Sequence, residues 1–128
     1  MASEWISAVF FSGFCFVVIC FHVALLFGAP WGHLTLGGRY DRVLPVKIRL
    51  VSAPSAILMS LFIVAVLARG GVAFQGLHRI SRMAIWPVVG YCVLGVLLNS
   101  VSRSKWERIL WVPVTLAMLV TGLIVAVS

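Results

Sequence analysis

The sequence predicts an all-α fold: a four-transmembrane-helix bundle with antiparallel neighbours and a long first connector. Three observations predict it. The 128 residues are 62% apolar and only 10% charged, with a mean hydropathy of +1.15, whereas soluble domains are about 45–50% apolar and about 25% charged. Four apolar runs, Trp5–Phe27, Leu50–Ala68, Met83–Val101 and Ile109–Val127, contain no Lys, Arg, Asp or Glu. Trp5, Trp31, Trp86, Trp106 and Trp111 all fall near run ends, the interfacial depth that suits an amphipathic indole.

Each run has about the 20 residues that cross a ~30 Å hydrocarbon core at ~1.5 Å per residue. Lipid offers backbone amides no partner, so each run must close its hydrogen bonds internally, as a helix. One domain, residues 1–128, is expected, with spans at about 5–27, 50–68, 83–101 and 109–127. The leader Met1-Ala2-Ser3-Glu4 lacks positive charge and the first run exceeds a signal h-region, so the first run is expected to remain as a span.

The connectors carry the charge. Arg39, Arg42, Lys47, Arg49, Arg103, Lys105 and Arg108 flank or fill the first and third, against Arg69, Arg79 and Arg82 at the second. That bias predicts a cytoplasmic first and third connector with both termini outside. The net charge of +7 is spread over short connectors with no basic helix or aromatic-studded basic sheet, so a nucleic-acid partner is excluded. Anionic lipid headgroups suit such connectors better.

The first connector is the longest. Gly28 and Pro30 suit the end of the first helix and Gly37-Gly38 a turn, while Pro45 favours an extended approach to the second span. Long loops in compact proteins are often functional, which makes Trp31, His33, Arg39, Tyr40, Asp41 and Arg42 a candidate working surface on the cytoplasmic side. The second connector, Arg69 to Arg82, is expected to form a short surface helix with Phe74, Leu77 and Ile80 on one side. The third is tight and implies a helical hairpin. Pro54 and Pro113 are expected in or near the first turns of their spans, where a missing amide costs least.

On the first span, Ala8, Ser12, Cys15, Ile19 and His22 recur at helical spacing and are mostly small or polar, the pattern of a packing face in lipid. Phe10, Phe14, Val17 and Phe21 form a bulky stripe expected to face lipid or a partner. Tyr91, Gly95 and Asn99 define a comparable packing face on the third span. His22, Ser52, Ser55, Asn99, Ser100 and Thr115 all lie toward the end of connectors one and three, because chain direction alternates. They are read either as interhelical hydrogen-bonding glue or as an inner polar pocket.

Other chemistry finds little support. Asp41, Glu4 and Glu107 are far apart in the sequence and make no carboxylate pair for acid–base work. Three scattered histidines give no metal-ligand or haem-ligand spacing, and no cofactor is expected. Cys15, Cys20 and Cys92 lie within apolar runs and read as small buried residues. Ser104-x-x-Glu107 reads as a capping box opening the fourth helix.

At Gly28-Ala29-Pro30-Trp31-Gly32, Gly37-Gly38, Leu44-Pro45 and Asn99-x-x-Ser102-Arg103-Ser104-x-x-Glu107-Arg108 the chain resembles a group of small bacterial four-helix integral membrane proteins. The resemblance covers most of the length. It implies the fold, the size and a bacterial inner membrane, and carries over no activity. Small multidrug exporters match in size but embed a glutamate in the first span, whereas Glu4 precedes it here; the pore pattern of fluoride channels is missing from the middle spans. The leading expectation is therefore a non-enzymatic accessory or assembly subunit of a larger membrane complex, associating with lipids and with other membrane subunits or itself. The alternatives are a homo-oligomeric carrier or channel and a lipid-headgroup binder or lipid-modifying enzyme using the first connector.

Overall fold

A computed structural model describes residues 2–40 and 42–128, apart from the side chains at positions 2 and 37. Its elements run α1 (Ala2–Leu26), two short 3₁₀ turns (Gly32–Leu34 and Leu36–Gly38), α2 (Val46–Arg49), α3 (Ser52–Arg69), a third 3₁₀ turn (Gln75–Leu77), α4 (His78–Ser100) and α5 (Lys105–Val127). Four helical stretches, Ser3–Leu26, Val46–Arg69, Gln75–Ser100 and Lys105–Val127, are long and apolar enough to cross a membrane. The protein is a multi-pass four-helix membrane bundle. α1 packs between α3 and α5, and α4 closes the ring against α5 and α3.

Proline explains the break in the second span. Pro54 has no N–H to give to the Leu50 carbonyl, which instead accepts from Ala53 at 3.3 Å, and the helix divides into α2 and α3 just before it. Pro113 departs from expectation. α5 begins at Lys105, so Pro113 sits in the helix interior rather than its first turn. The charged first turn, Lys105 to Arg108, extends the apolar run backwards because Ser104 caps it.

The second connector also differs. No separate surface helix forms; the chain reverses through Gly70 to Phe74, and α4 starts at His78 and runs straight into the span. Phe74 takes a left-handed backbone, φ 55°, and His78 Nδ1 lies 2.9 Å from the Ala68 carbonyl, a contact that ties α4 to the end of α3.

The main core gathers Ala8, Phe11, Cys15, Met59, Phe62, Val66, Ile85, Val88, Cys92, Met118 and Val125. Of its completely buried members, Ala8, Phe11, Val66, Ile85 and Val125 lie towards the termini and connector two, and Cys15 lies midway along α1. Phe11 can approach α5 because Gly122 has no side chain; a Cβ there would stand 3.2 Å from the Phe11 ring. A second cluster, Phe21, Leu25, Leu44 and Trp111, fills the opposite end.

The faces of α1 are partly as expected. Ala8 and Cys15 are buried, Ser12, Ile19 and His22 half-buried, and Phe10 and Val17 exposed. Phe21, expected outside, is instead buried, and Phe14 packs against the core. Phe21 turns inward because two tryptophans receive it: its ring stacks on Trp31 with centroids 6.0 Å apart and meets the edge of Trp111 at 4.7 Å. Cys20 is exposed, unlike Cys15 and Cys92.

Replacing Phe11 by Ala should cost about 3 kcal/mol, the low end of the Phe→Ala range, since lipid tails lower the transfer part and leave the cavity part. Equilibrium unfolding in mixed detergent measures it. A loss below about 0.5 kcal/mol would show that α1 and α5 are not packed through this ring.

Candidate functional site

The polar residues of the inner half obey the rule that governs the backbone: most bond within their own helix. Ser55 donates to Val51 O at 3.1 Å, Ser100 to Val96 O at 2.6 Å, Thr115 to Trp111 O at 2.7 Å and the Asn99 amide to Gly95 O at 2.8 Å. Ser12, Ser60 and Thr121 do the same four residues back. Asn99 thus spends one of its two N–H donors on its own helix.

Three of the six residues singled out do meet. His22, Asn99 and Thr115 line a half-open cavity of roughly 180 Å³ together with Phe21, Leu34, Thr35, Met59, Tyr91, Cys92, Gly95, Glu107 and Trp111, among others. That volume slightly exceeds the ~150 Å³ of an engineered cavity that accepts benzene. Ser52, Ser55 and Ser100 do not line it. Ser52 is buried elsewhere, and Ser100 is exposed, about 100° round α4 from Asn99. The expected α4 face of Tyr91, Gly95 and Asn99 forms one wall.

From there a shallow groove continues along Thr35, Leu36, Tyr91, Leu94, Leu98, Asn99, Ser102 and Glu107. Leu94 and Leu98 are 58% and 66% exposed and belong to the bundle's outer surface. The mouth thus opens sideways along α4, at the end of connectors one and three.

Connector one is the roof. Gly32 N–H donates to Arg42 O at 2.7 Å, and the strands of the loop run so close that a Cβ on Gly32 would come within 2.4 Å of that oxygen. Two bonds then clamp the loop to α5: Trp111 Nε1 donates to Leu34 O at 2.7 Å and Ser104 Oγ to His33 O at 2.5 Å. Gly38 rests on the same serine, with a hypothetical Cβ 2.8 Å from Ser104 Cβ. Leu44 is buried, and Leu34 and Tyr40 pack beside it.

The expected working surface is thereby redistributed. Trp31 stacks on Phe21, His33 offers its carbonyl to Ser104, and Tyr40 carries the Arg39 guanidinium 5.7 Å from its ring centre. Arg39 and Arg42 are exposed. Asp41 lies outside the described residues. Trp111 leaves the interfacial belt altogether: it is buried and structural.

Glu107 is the residue that sequence reasoning assigned only to a cap. The cap exists, with Ser104 Oγ accepting from Glu107 N–H at 3.3 Å. Its reciprocal half runs through Ser102, whose hydroxyl accepts from Ser104 N–H at 3.1 Å and donates to Glu107 Oε2 at 2.8 Å. The carboxylate is thus drawn back over the third connector, buried to 9% exposure, and lines the cavity. Spacing could not reveal this, since Ser-x-x-Glu ordinarily keeps its glutamate on the cap. The Nδ1 of His22 is buried with no hydrogen-bond partner among the described residues, an orphan that a polar group in the cavity can complete. No protein-family model, curated protein or solved structure matches the chain.

Trp111→Phe keeps an aromatic side chain but removes the indole donor together with one of its two fused rings. It should cost about 1–3 kcal/mol by stranding the Leu34 carbonyl, and trypsin should cut at Arg39 or Arg42 several-fold faster as the roof loosens. Unchanged cleavage rates would show that this bond does not hold the connector down.

Proposed function

We propose that the protein is a non-enzymatic membrane protein that binds the head of an amphipathic molecule in the cavity under connector one. The observation that carries this reading is the sideways mouth. A ligand with a polar head and an acyl tail can place the head among His22, Asn99, Glu107 and Thr115 while its tail follows Leu94 and Leu98 into lipid. The cavity is too small for a whole lipid and suits a headgroup.

Particular residues bear on the other readings. A homo-oligomeric carrier or channel would need its route between protomers, since within one chain the end beyond the cavity is filled by Phe11, Val66, Ile85 and Val125 at full burial. The accessory-subunit reading rests on the distinctive first connector, on the lack of a chemical motif and on an aromatic outer stripe, of which Phe10 and Val17 are exposed. It keeps that pair as a partner surface. Its test is gentle solubilisation from native membranes, where a stoichiometric partner lost on Phe10→Ala would favour it.

We take the protein to reside in a bacterial inner membrane, on the motif resemblance, with connectors one and three cytoplasmic, on the distribution of Lys and Arg. A fluorescent protein that matures only in the cytoplasm should then stay dark when fused after Ser128. A bright fusion would reverse the orientation.

Filling the cavity tests the binding reading directly. A Cβ at Gly95 would meet Thr115 Cγ2 at an ordinary 3.5 Å, so Gly95→Leu can extend into the space without breaking the helix pair. Lipid adducts seen by native mass spectrometry should fall about tenfold or more while thermal stability in detergent holds or rises. Wild-type adduct levels in this variant would remove the cavity as the binding site.

A further inference from the structure

We propose that the centre of the bundle binds a soft monovalent metal ion, copper(I), through Cys15, Met59, Cys92 and Met118; this goes beyond the amphiphile reading and does not rest on it. The first observation is where the sulfur lies. Of the described cysteines and methionines, Cys20 and Met83 are exposed, and the other four are at most 3% exposed. All four belong to the main core cluster, and each comes from a different spanning helix. Met59 lies nine residues after Leu50, Met118 nine after Ile109 and Cys92 nine before Val101, the apolar boundaries at the end of connectors one and three. Cys15 lies twelve before Phe27. At ~1.5 Å per residue the four share one layer, about one helical turn thick.

The second observation is how the helices are arranged around that layer. α1 and α4 each pack on α3 and α5, and so face one another across the bundle. The two thiols therefore occupy one diagonal and the two thioethers the other. Cys15 and Cys92 are near enough that a charge on one is felt at the other. Methionine is the usual filler of irregular gaps, which accounts for each thioether singly. It does not account for four buried sulfurs, one per helix, at one depth.

The donor set chooses the ion. Thiolate and thioether ligands select copper(I), whereas zinc takes three or four ligands from Cys, His, Asp and Glu. Among the described residues no group of three or more of those could hold a metal. Charge favours the same choice. One thiolate cancels a monovalent cation and leaves a neutral complex in an apolar core, where a divalent ion needs both thiols ionised at once. Binding breaks the Cys92 S–H bond, forms a sulfur–copper bond and releases the proton, with no change of oxidation state. Met59 and Met118 add neutral lone pairs, and Cys15 supplies the second thiol from the opposite helix. An entry path exists, since Met59, Cys92 and Met118 line the half-open cavity.

Anaerobic titration of the purified protein in detergent with copper(I), in competition with the chelator bicinchoninate, provides the test. One ion per chain should be withheld from the chelator, with about one proton released per ion. X-ray absorption at the copper edge should show sulfur neighbours. The double variant Met59→Leu/Met118→Leu keeps the packing, since Leu and Met exchange at little cost, and should weaken binding about tenfold or more. Cys15→Ser and Cys92→Ser should each weaken it further, and Cys20→Ser should bind as the wild type does. Failure to withhold copper, neighbours of nitrogen or oxygen alone, or wild-type affinity in the thioether variant overturns the proposal. Loss of binding in Cys20→Ser overturns it too, by moving the ion to an exposed thiol. Should the buried cysteine variants fail to fold, the thioether variant still decides.

Discussion

A chain that crosses lipid must satisfy its polar groups from within, and here the constraint reaches past the backbone to the side chains. Ser12, Ser55, Ser60, Asn99, Ser100, Thr115 and Thr121 each return a hydrogen bond to the carbonyl four residues earlier. A hydroxyl satisfied in this way costs little to bury, but it does not bind one helix to the next. Helix association is left to close packing, as where Phe11 lies against Gly122. Polar residues at membrane depth therefore have to be read by what remains after the helix has taken its share.

That distinction separates what was legible in the sequence from what was not. The spans were legible because hydropathy and charge exclusion act over about 20 residues and have one solution in lipid. The small face of α1 was legible at Ala8 and Cys15 for the same reason of periodicity. Phe21 was not, because its burial depends on Trp31 and Trp111, residues ten and ninety positions away along the chain, which only the folded connector brings to it. The candidate pocket was half legible. Alternating chain direction correctly gave the depth shared by His22, Asn99 and Thr115, but depth says nothing of which way a side chain turns, and Ser52, Ser55 and Ser100 turn elsewhere. Glu107 escaped notice because its capping motif already explained it.

The cavity owes its existence to the first turn of α5. Ser104 serves two masters there, accepting from Glu107 N–H to cap the helix and donating to His33 O to hold the roof. Trp111, two turns on, fixes the next residue of the loop. Connector one is thereby a packed lid whose backbone is paired with α5, rather than a free loop offering its side chains to water. Loss of the cap and loss of the roof are linked through a single hydroxyl, so the helix end and the site share one stability.

A helix cap accounts for a glutamate at this position, and the third connector draws it into the wall. Acidic side chains suit helix N-termini, and the positive end of the helix dipole stabilises Glu107 wherever it sits in the first turn. Solvent-facing placement would give that benefit at no desolvation cost, and the cap itself needs only the Ser104 hydroxyl. Instead Ser102 interposes, takes the Ser104 amide that a reciprocal capping box would assign to the glutamate, and draws the carboxylate into the cavity wall. Burying a carboxylate is costly unless it is repaid by charge or hydrogen bonds. The Ser102 hydroxyl, donating to Oε2 at 2.8 Å, repays part of that cost and ties the third connector to the first turn of α5.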